Sequence, residues 1–328
     1  MQAFLRSTFP RLLAGAAALC LLPAVQAQQT YPTKPITLII PYAAGGPADA
    51  LARSLAHSLE AQLKQSIIVE SKAGGGATIG TSFVARAKPD GYTLLIGTSA
   101  GHVVTPLMQS IAYDGVGDFS FIGMVANQPS MLVANADLGI NTLQDLIAFA
   151  KKEPGKLNYA SAGTGGATHL GAEALWKRAQ VRITHVPYAG AAPAMKDLLG
   201  GQVQLGMLNL TTTQAFIEQG RLKALAFGSK QRSATFPQVP TLAEAGYGGT
   251  EVSTWYSLAA PKGTPANVVE VLSKAVAQVN ADPAYQKFLT SQGAERLDLS
   301  PAETTAFVRR DKEEMGKLLG SLGLLEQK

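Results

Sequence analysis

The chain has 328 residues, with 28 lysines and arginines against 23 aspartates and glutamates, and one cysteine. The basic residues are spread along the chain instead of forming a stripe, which argues against a nucleic-acid footprint. A lone cysteine excludes disulfide staples within the chain and multi-thiolate zinc sites, so stability must come from apolar burial, and the length suits two medium-sized domains.

The N-terminal segment sets the expected compartment. Arg6 and Arg11 flank the start of an apolar stretch over residues 12–25, and Val25-Gln26-Ala27 offers small residues for cleavage, the pattern of a secretory signal peptide. A membrane anchor is the alternative, but the stretch falls short of the roughly 20 residues that a bilayer requires, and it contains Pro23. Cys20 follows bulky Leu19, where a lipoprotein signal would place a small residue. Removing residues 1–27 takes away two arginines and no acid, which leaves 26 basic and 23 acidic side chains, a net charge of +3, and no cysteine. A periplasmic location is expected.

In chain order, apolar runs without polar alternation occur at residues 36–40, 67–69, 93–96 and 222–227, the mark of strands buried on both faces. Between them lie helical patterns: Leu51, Leu55, Leu59 and Leu63 are four apart, and Leu143, Leu146, Ile147 and Ala150 share a face. Strands alternating with helices predict an α/β fold with mostly parallel sheets. Near the C-terminus, Thr264-Pro265 is expected to cap a helix carrying Val268, Val271, Leu272, Ala275 and Val279, and Ser300-Pro301 to open the last helix.

An internal echo points to a site. Ile39-Ile40-Pro41-Tyr42-Ala43-Ala44-Gly45-Gly46 and Asn158-Tyr159-Ala160-Ser161-Ala162-Gly163-Thr164-Gly165-Gly166 each read as strand, glycine-rich turn and helix start. Such turns leave backbone N–H groups unpaired at the positive end of a helix dipole and so attract carboxylate or phosphate. For a single loop the glycines merely making the turn is an equal reading, and two loops of one design favour binding. Neither loop completes Gly-x-x-x-x-Gly-Lys-Ser/Thr or Gly-x-Gly-x-x-Gly, because Thr168 occupies the last position of the latter, so nucleotides are disfavoured. Gly74-Gly75-Gly76 also fails both patterns and reads as a loop bordering a cleft.

Ser161, Thr164 and Thr168 add hydroxyls at the second loop, and Thr98, Ser99 and His102 follow the strand at 93–96. Each hydrogen bond to a charged group contributes about 1.5–3 kcal/mol, so four or five reach the about 8 kcal/mol of micromolar binding without an arginine. His57, His102, His169 and His185 show no metal-binding spacing, and no cofactor is implied. His102 and His169 are placed to reach a ligand, whereas His57 sits mid-helix. Gly97-Thr98-Ser99-Ala100-Gly101 fits the Gly-x-Ser-x-Gly nucleophile elbow of serine hydrolases. That alternative lacks a preceding His-Gly-Gly-Gly segment, and Pro106 leaves little room for a long helix.

The motifs Tyr31-Pro32-Thr33-Lys34-Pro35-Ile36 and Pro41-Tyr42-Ala43-Ala44-Gly45-Gly46-Pro47-Ala48-Asp49 resemble the Bug family of extracytoplasmic solute receptors, which serve tripartite tricarboxylate transporters. The likeness continues through Lys88-Pro89-Asp90-Gly91-Tyr92, Gly163-Thr164-Gly165-Gly166-Ala167-Thr168-His169-Leu170 and Val186-Pro187-Tyr188-Ala189-Gly190. Further on it includes Val239-Pro240-Thr241-Leu242-Ala243-Glu244-Ala245-Gly246 and Trp255 with Ala260-Pro261-Lys262-Gly263-Thr264-Pro265. The resemblance implies a two-lobed, type II-like periplasmic binding protein fold that captures a small carboxylate. Residues 28–129 and 255–328 would form one lobe and 130–254 the other, hinged by two crossover strands near Ser130 and Trp255. It extends the expected ligand contacts to Tyr42, Ala43, Asp49, Tyr188 and Asn209, beside Gly45, Gly46, Gly163, Gly165 and Gly166. It also implies a membrane transporter with a large and a small transmembrane subunit, served by a monomeric receptor. Where the family reads Val-Asp-x-x-Phe-Asp, this chain has Val203-Gln204-Leu205-Gly206-Met207-Leu208, with Asn209 retained. The missing acids are expected to favour a plain mono-, di- or tricarboxylate, including aromatic ones, over an amino acid.

Overall fold

The computed structural model describes residues 31–233 and 235–326; the expected signal peptide lies outside the described residues. Among the described residues, nine strands and ten α-helices follow one another as β1 (Ile36–Ile40), α1 (Pro47–Leu63), β2 (Ile67–Ser71), α2 (Thr78–Ala85), β3 (Thr93–Thr98), α3 (Thr105–Met108) and β4 (Phe119–Asn135). Then come α4 (Leu143–Lys152), β5 (Asn158–Ser161), α5 (Ala167–Ala179), β6 (Thr184–Pro187), α6 (Ala191–Leu199), β7 (Leu205–Asn209), α7 (Leu210–Glu218) and β8 (Leu222–Phe227). The chain closes with β9 (Ser253–Pro261), α8 (Ala266–Ala281), α9 (Pro283–Ser291) and α10 (Pro301–Leu322).

The strands form one path, β2-β1-β3-β9-β4-β7-β5-β6, with β8 on the other side of β4. The pairs β1–β2, β1–β3, β5–β6 and β5–β7 are parallel, while β4 and β9 run antiparallel through the middle. β4 changes partners along its length: Phe119 to Pro129 pair with β9, and Ser130 onward pairs with β7 and β8. One strand thus belongs to both halves of a two-lobed α/β fold.

The inner strands β1, β3 and β7 are covered on both faces, which explains their apolar runs, whereas the edge strands β2 and β6 are partly exposed: Ile68, within the run at 67–69 that was expected to be buried on both faces, lies open to solvent. Ile36, Leu38 and Ile40 pack under α1, α8 and α9, while Ile39 turns to the opposite face with Val84 and Val308. In the other half, Leu132 and Ala134 pack with α4 and α5, and Met131 and Val133 with α6 and α7. Each such leucine, fully withdrawn from water, contributes about 1.5–3 kcal/mol.

Ser300 caps α10 as expected: its hydroxyl accepts from Glu303 N while Glu303 bonds back to Ser300 N. Thr264 does not cap α8; Pro265 takes the cap position, and the Thr264 hydroxyl donates to Pro261 O at 2.8 Å. The threonine thereby closes the preceding turn. No helix among the described residues is long and apolar enough to cross a membrane.

Candidate functional site

The two echoing loops fold alike at their glycines. Gly45 and Gly165 both take the left-handed conformation, with φ of 81° and 77°, which only glycine adopts without strain. Each offers its N–H to the side chain four residues on: Gly45 to Asp49 Oδ2 at 3.0 Å, and Gly165 to His169 Nδ1 at 3.2 Å. The next residues, Gly46 and Gly166, are extended N-caps of α1 and α5.

The clamps differ in chemistry. Asp49 is held from behind by Arg53, whose Nε lies 2.9 Å from Oδ1. His169 stacks on His185 at 4.1 Å, and His185 stacks on Tyr159 at 4.8 Å. His185 Nε2 lies 2.7 Å from the Ser161 hydroxyl. Burial pushes His169 down to about 4, and burial together with neighbouring His169 pushes His185 to about 3. Both rings are therefore neutral at ordinary pH, which leaves Nδ1 of His169 free to accept the Gly165 proton.

Two further helices point the same way. α6 starts at Gly190 and α7 at Asn209, and neither has a side-chain cap. All four N-termini meet at one cavity, lined by Gly46, Gly166, Ala191 and Asn209 among others. No charged side chain lines it, so the positive helix ends and their orphan N–H groups dominate its field. The halves touch at its rim, where Ala43 N–H donates to Ala189 O at 3.0 Å.

Of the residues picked out from the sequence, Tyr42, Ala43, Gly46, Ser99, Gly163, Thr164, Gly166, Thr168 and Asn209 line this cavity. Gly45, Asp49, Ser161, Gly165 and His169 do not; they form the support that shapes the two loops. Tyr188 lines an adjoining cavity and donates to Asp197 Oδ2 at 2.8 Å. The Gly74-Gly75-Gly76 run lines the same adjoining cavity beside Thr164, bordering the cleft as its composition suggested.

Three expectations need correction. After β3 the chain enters a single π-helical turn, Ala100–Val104, which swings His102 into the core and away from the cavity. Its Nδ1 bonds to Gly115 O at 2.5 Å, its ring packs on Phe119 at 4.5 Å, and burial pushes it down to about 4. Ser99 lines the cavity, but its hydroxyl proton is directed at Asp311 Oδ2, 2.6 Å away, so it is not offered to a carboxylate. Leu208 sits in the core with Met131 and Val133, so the acid missing there says nothing about the cavity wall; the next residue, Asn209, is the one that faces it.

Sequence reasoning missed Ala191, although Pro187-Tyr188-Ala189-Gly190 repeats the strand, glycine and helix signature that exposes it. It also missed Thr254 and Tyr256 of β9, which line the cavity. Asp311 carried no signal at all: within Arg309-Arg310-Asp311-Lys312-Glu313-Glu314 it looks like part of a solvated helix face.

The fold and the cavity together define a solute-binding receptor. Residues 51–324 match the tripartite tricarboxylate transporter family receptor, and the chain belongs to that family. Protein BugT of Bordetella pertussis is 37% identical over 281 residues, 85% of this chain and 86% of BugT. The periplasmic binding protein BugD has the same fold, with a TM-score of 0.87 and 39% identity over 90% of this chain and 100% of its own. A protein of R. palustris solved with adipate gives a TM-score of 0.86 at 33% identity, over 89% of this chain and 98% of its own. The matching family is described as a receptor, and BugD as a periplasmic binding protein.

Proposed function

We propose that this chain is a periplasmic receptor that encloses a small carboxylate between its lobes and delivers it to a tripartite tricarboxylate-type membrane transporter. Residues 28–129 with 255–328 form the first lobe and 130–254 the second, and the receptor acts as a monomer. The observation that carries the reading is the convergence of four uncapped helix N-termini on one cavity free of charged side chains. Backbone N–H groups of these helices take the carboxylate, and the Thr168 hydroxyl, which accepts from Ala162 N and keeps its own proton, adds a donor. Adipate in the R. palustris protein supports a dicarboxylate.

Capture proceeds by closure. With the lobes apart, ligand meets one wall; rotation about the crossovers brings the second pair of helix ends onto it, and the added bonds shift the population to the closed form. Rim contacts such as Ala43 to Ala189 then shut the cavity.

The geometry around Ser99 supports the receptor reading over the hydrolase one. A serine nucleophile needs an adjacent base, most often an imidazole or a lysine amine, to take its proton, whereas Ser99 bonds to the Asp311 carboxyl, and among the described residues no histidine or lysine bonds to it. A thermal-shift screen over organic acids tests the receptor reading: one or a few acids raise the melting temperature, since a ligand of the native state alone stabilises it. Covalent labelling of Ser99 by a fluorophosphonate would overturn it.

A further inference from the structure

The longest run of positive φ among the described residues lies in the wall of the adjoining cavity, where Gly74, Gly75, Gly76 and Ala77 take 120°, 59°, 62° and 75°. Glycine adopts such angles freely and alanine does not, yet Ala77 is 2% exposed and holds its angle inside the fold. Strain of this kind persists only where the surroundings over-determine it, and it gathers at clamps and switch segments. Here the Thr81 hydroxyl donates to Ala77 O at 2.8 Å, and the Thr105 hydroxyl donates to Gly76 O at 2.9 Å. Thr105, at the start of α3, makes the one long-range side-chain hydrogen bond to residues 74–77 among the described residues.

The segment crosses from solvent to the other half of the molecule. Gly75 is exposed, whereas Gly76 leans on the second glycine loop so closely that an added Cβ would lie 2.5 Å from Thr164 O. Thr105 touches the same loop: a Cβ added at Gly165 would meet its Oγ1 at 2.7 Å. Both line the adjoining cavity, which shares Tyr42, Ala162, Gly163 and Thr164 with the ligand cavity. Residues 74–77 therefore stand between solvent and the space beside the ligand, held by a single hydroxyl.

We propose that residues 74–77 form a strap that shuts a side entrance to the ligand cavity, and that Thr105 is the catch that keeps it shut. The bent backbone is seated only while Gly76 O is held, so loss of that bond lets the strap swing outward without any movement of the lobes. The strap lines the adjoining cavity and not the ligand cavity, so it sets how fast a guest enters and leaves, not how tightly it is held. This holds whatever acid the receptor takes.

Residue-resolved amide exchange separates the strap from the lobes. Thr78 N–H bonds to Gly75 O and reads the strap; Ala43 N–H bonds to Ala189 O and reads lobe opening. Thr105→Val keeps the shape and removes the catch, so exchange at Thr78 should rise about tenfold, one net hydrogen bond, with Ala43 unchanged. Thr105→Ser retains the hydroxyl and should match the native protein. In stopped-flow mixing with adipate, Thr105→Val should speed association and dissociation by the same factor and leave Kd within about twofold. Should that variant fail to fold, Gly76→Ala, whose methyl would meet Thr164 O, should raise both rates. Gly139→Ala, at a similar φ of 74° with nothing within 4 Å, should raise neither. Exchange at Thr78 and Ala43 rising together, or a faster dissociation alone, would overturn the strap and leave the receptor reading standing. Absence of adipate binding bears on the ligand only, and the exchange comparison still decides the strap.

Discussion

The helices of this protein begin in two ways. Away from the cavity lining, α4, α9 and α10 are capped by the side chains of Thr142, Asp282 and Ser300. At the cavity, α1, α5, α6 and α7 begin at Gly46, Gly166, Gly190 and Asn209, with no side-chain cap. Only the first group satisfies its own N–H groups from within, as stability alone would demand. The second leaves them for a guest; α2, α3 and α8 also lack side-chain caps, so the site is marked by four open ends converging on one cavity and not by the missing caps alone.

Acid should break the contrast most severely, because one of the glycine loops is held by histidine. His102, His169 and His185 all have native values well below the ordinary 6.5, at about 4, 4 and 3, chiefly through burial. The unfolded chain therefore binds more protons than the native one once pH falls below 6.5. Stability is fully present above that value and drains away as pH descends toward 4. Melting temperatures measured from pH 7 to pH 4 should drop steadily; a flat profile would contradict the buried, neutral column behind the second loop.

Converting a cavity-facing end into an ordinary one comes next. Gly166 has φ of −74°, and the nearest neighbour of an added Cβ would be Gly163 O at 3.4 Å, so Gly166→Asp fits and caps α5. The variant should fold with equal or slightly greater stability, by a few tenths of a kcal/mol. Its organic-acid affinity should fall about a hundredfold, since it occupies the donors and adds a negative charge. Retained affinity in calorimetry would show that α5 does not hold the acid.

Smaller again is the strain prediction. Gly165→Ala puts a side chain at φ of 77° with its Cβ 2.7 Å from Thr105 Oγ1 across the cleft. It should lose about 1–2 kcal/mol of stability to the left-handed backbone and weaken binding as well, because the clash opposes closure. Ser300→Ala gives the smallest effect, about 1 kcal/mol of stability with unchanged acid affinity. Denaturant melts alongside calorimetry separate the two outcomes.

Much of this was legible in the sequence wherever local chemistry decides. The strands at 36–40 and 222–227 emerge with the limits expected, because their apolar runs are bounded by proline, glycine and polar turns. Both glycine loops, and the Ser300 cap, were readable for the same reason. β4 was not: its 17 residues include Gly123, Asn127, Gln128 and Pro129, which break the pattern of a strand while the pairing with β9 carries it through. His102 was misplaced because a π-helical turn, a tertiary accommodation, decides which way it faces. Asp311 was invisible because its partners Ser99 and Trp255 lie 212 and 56 residues away along the chain.

The placement of β9 has a consequence for biosynthesis. It sits between β3 and β4 in the finished sheet, yet the polypeptide supplies it only after all of β4 to β8 has been made. A nascent chain halted before residue 253 would hold two long, apolar strand edges open beside each other, the kind of surface that invites self-association. Premature termination in this gene should therefore yield aggregates in place of a working half-receptor.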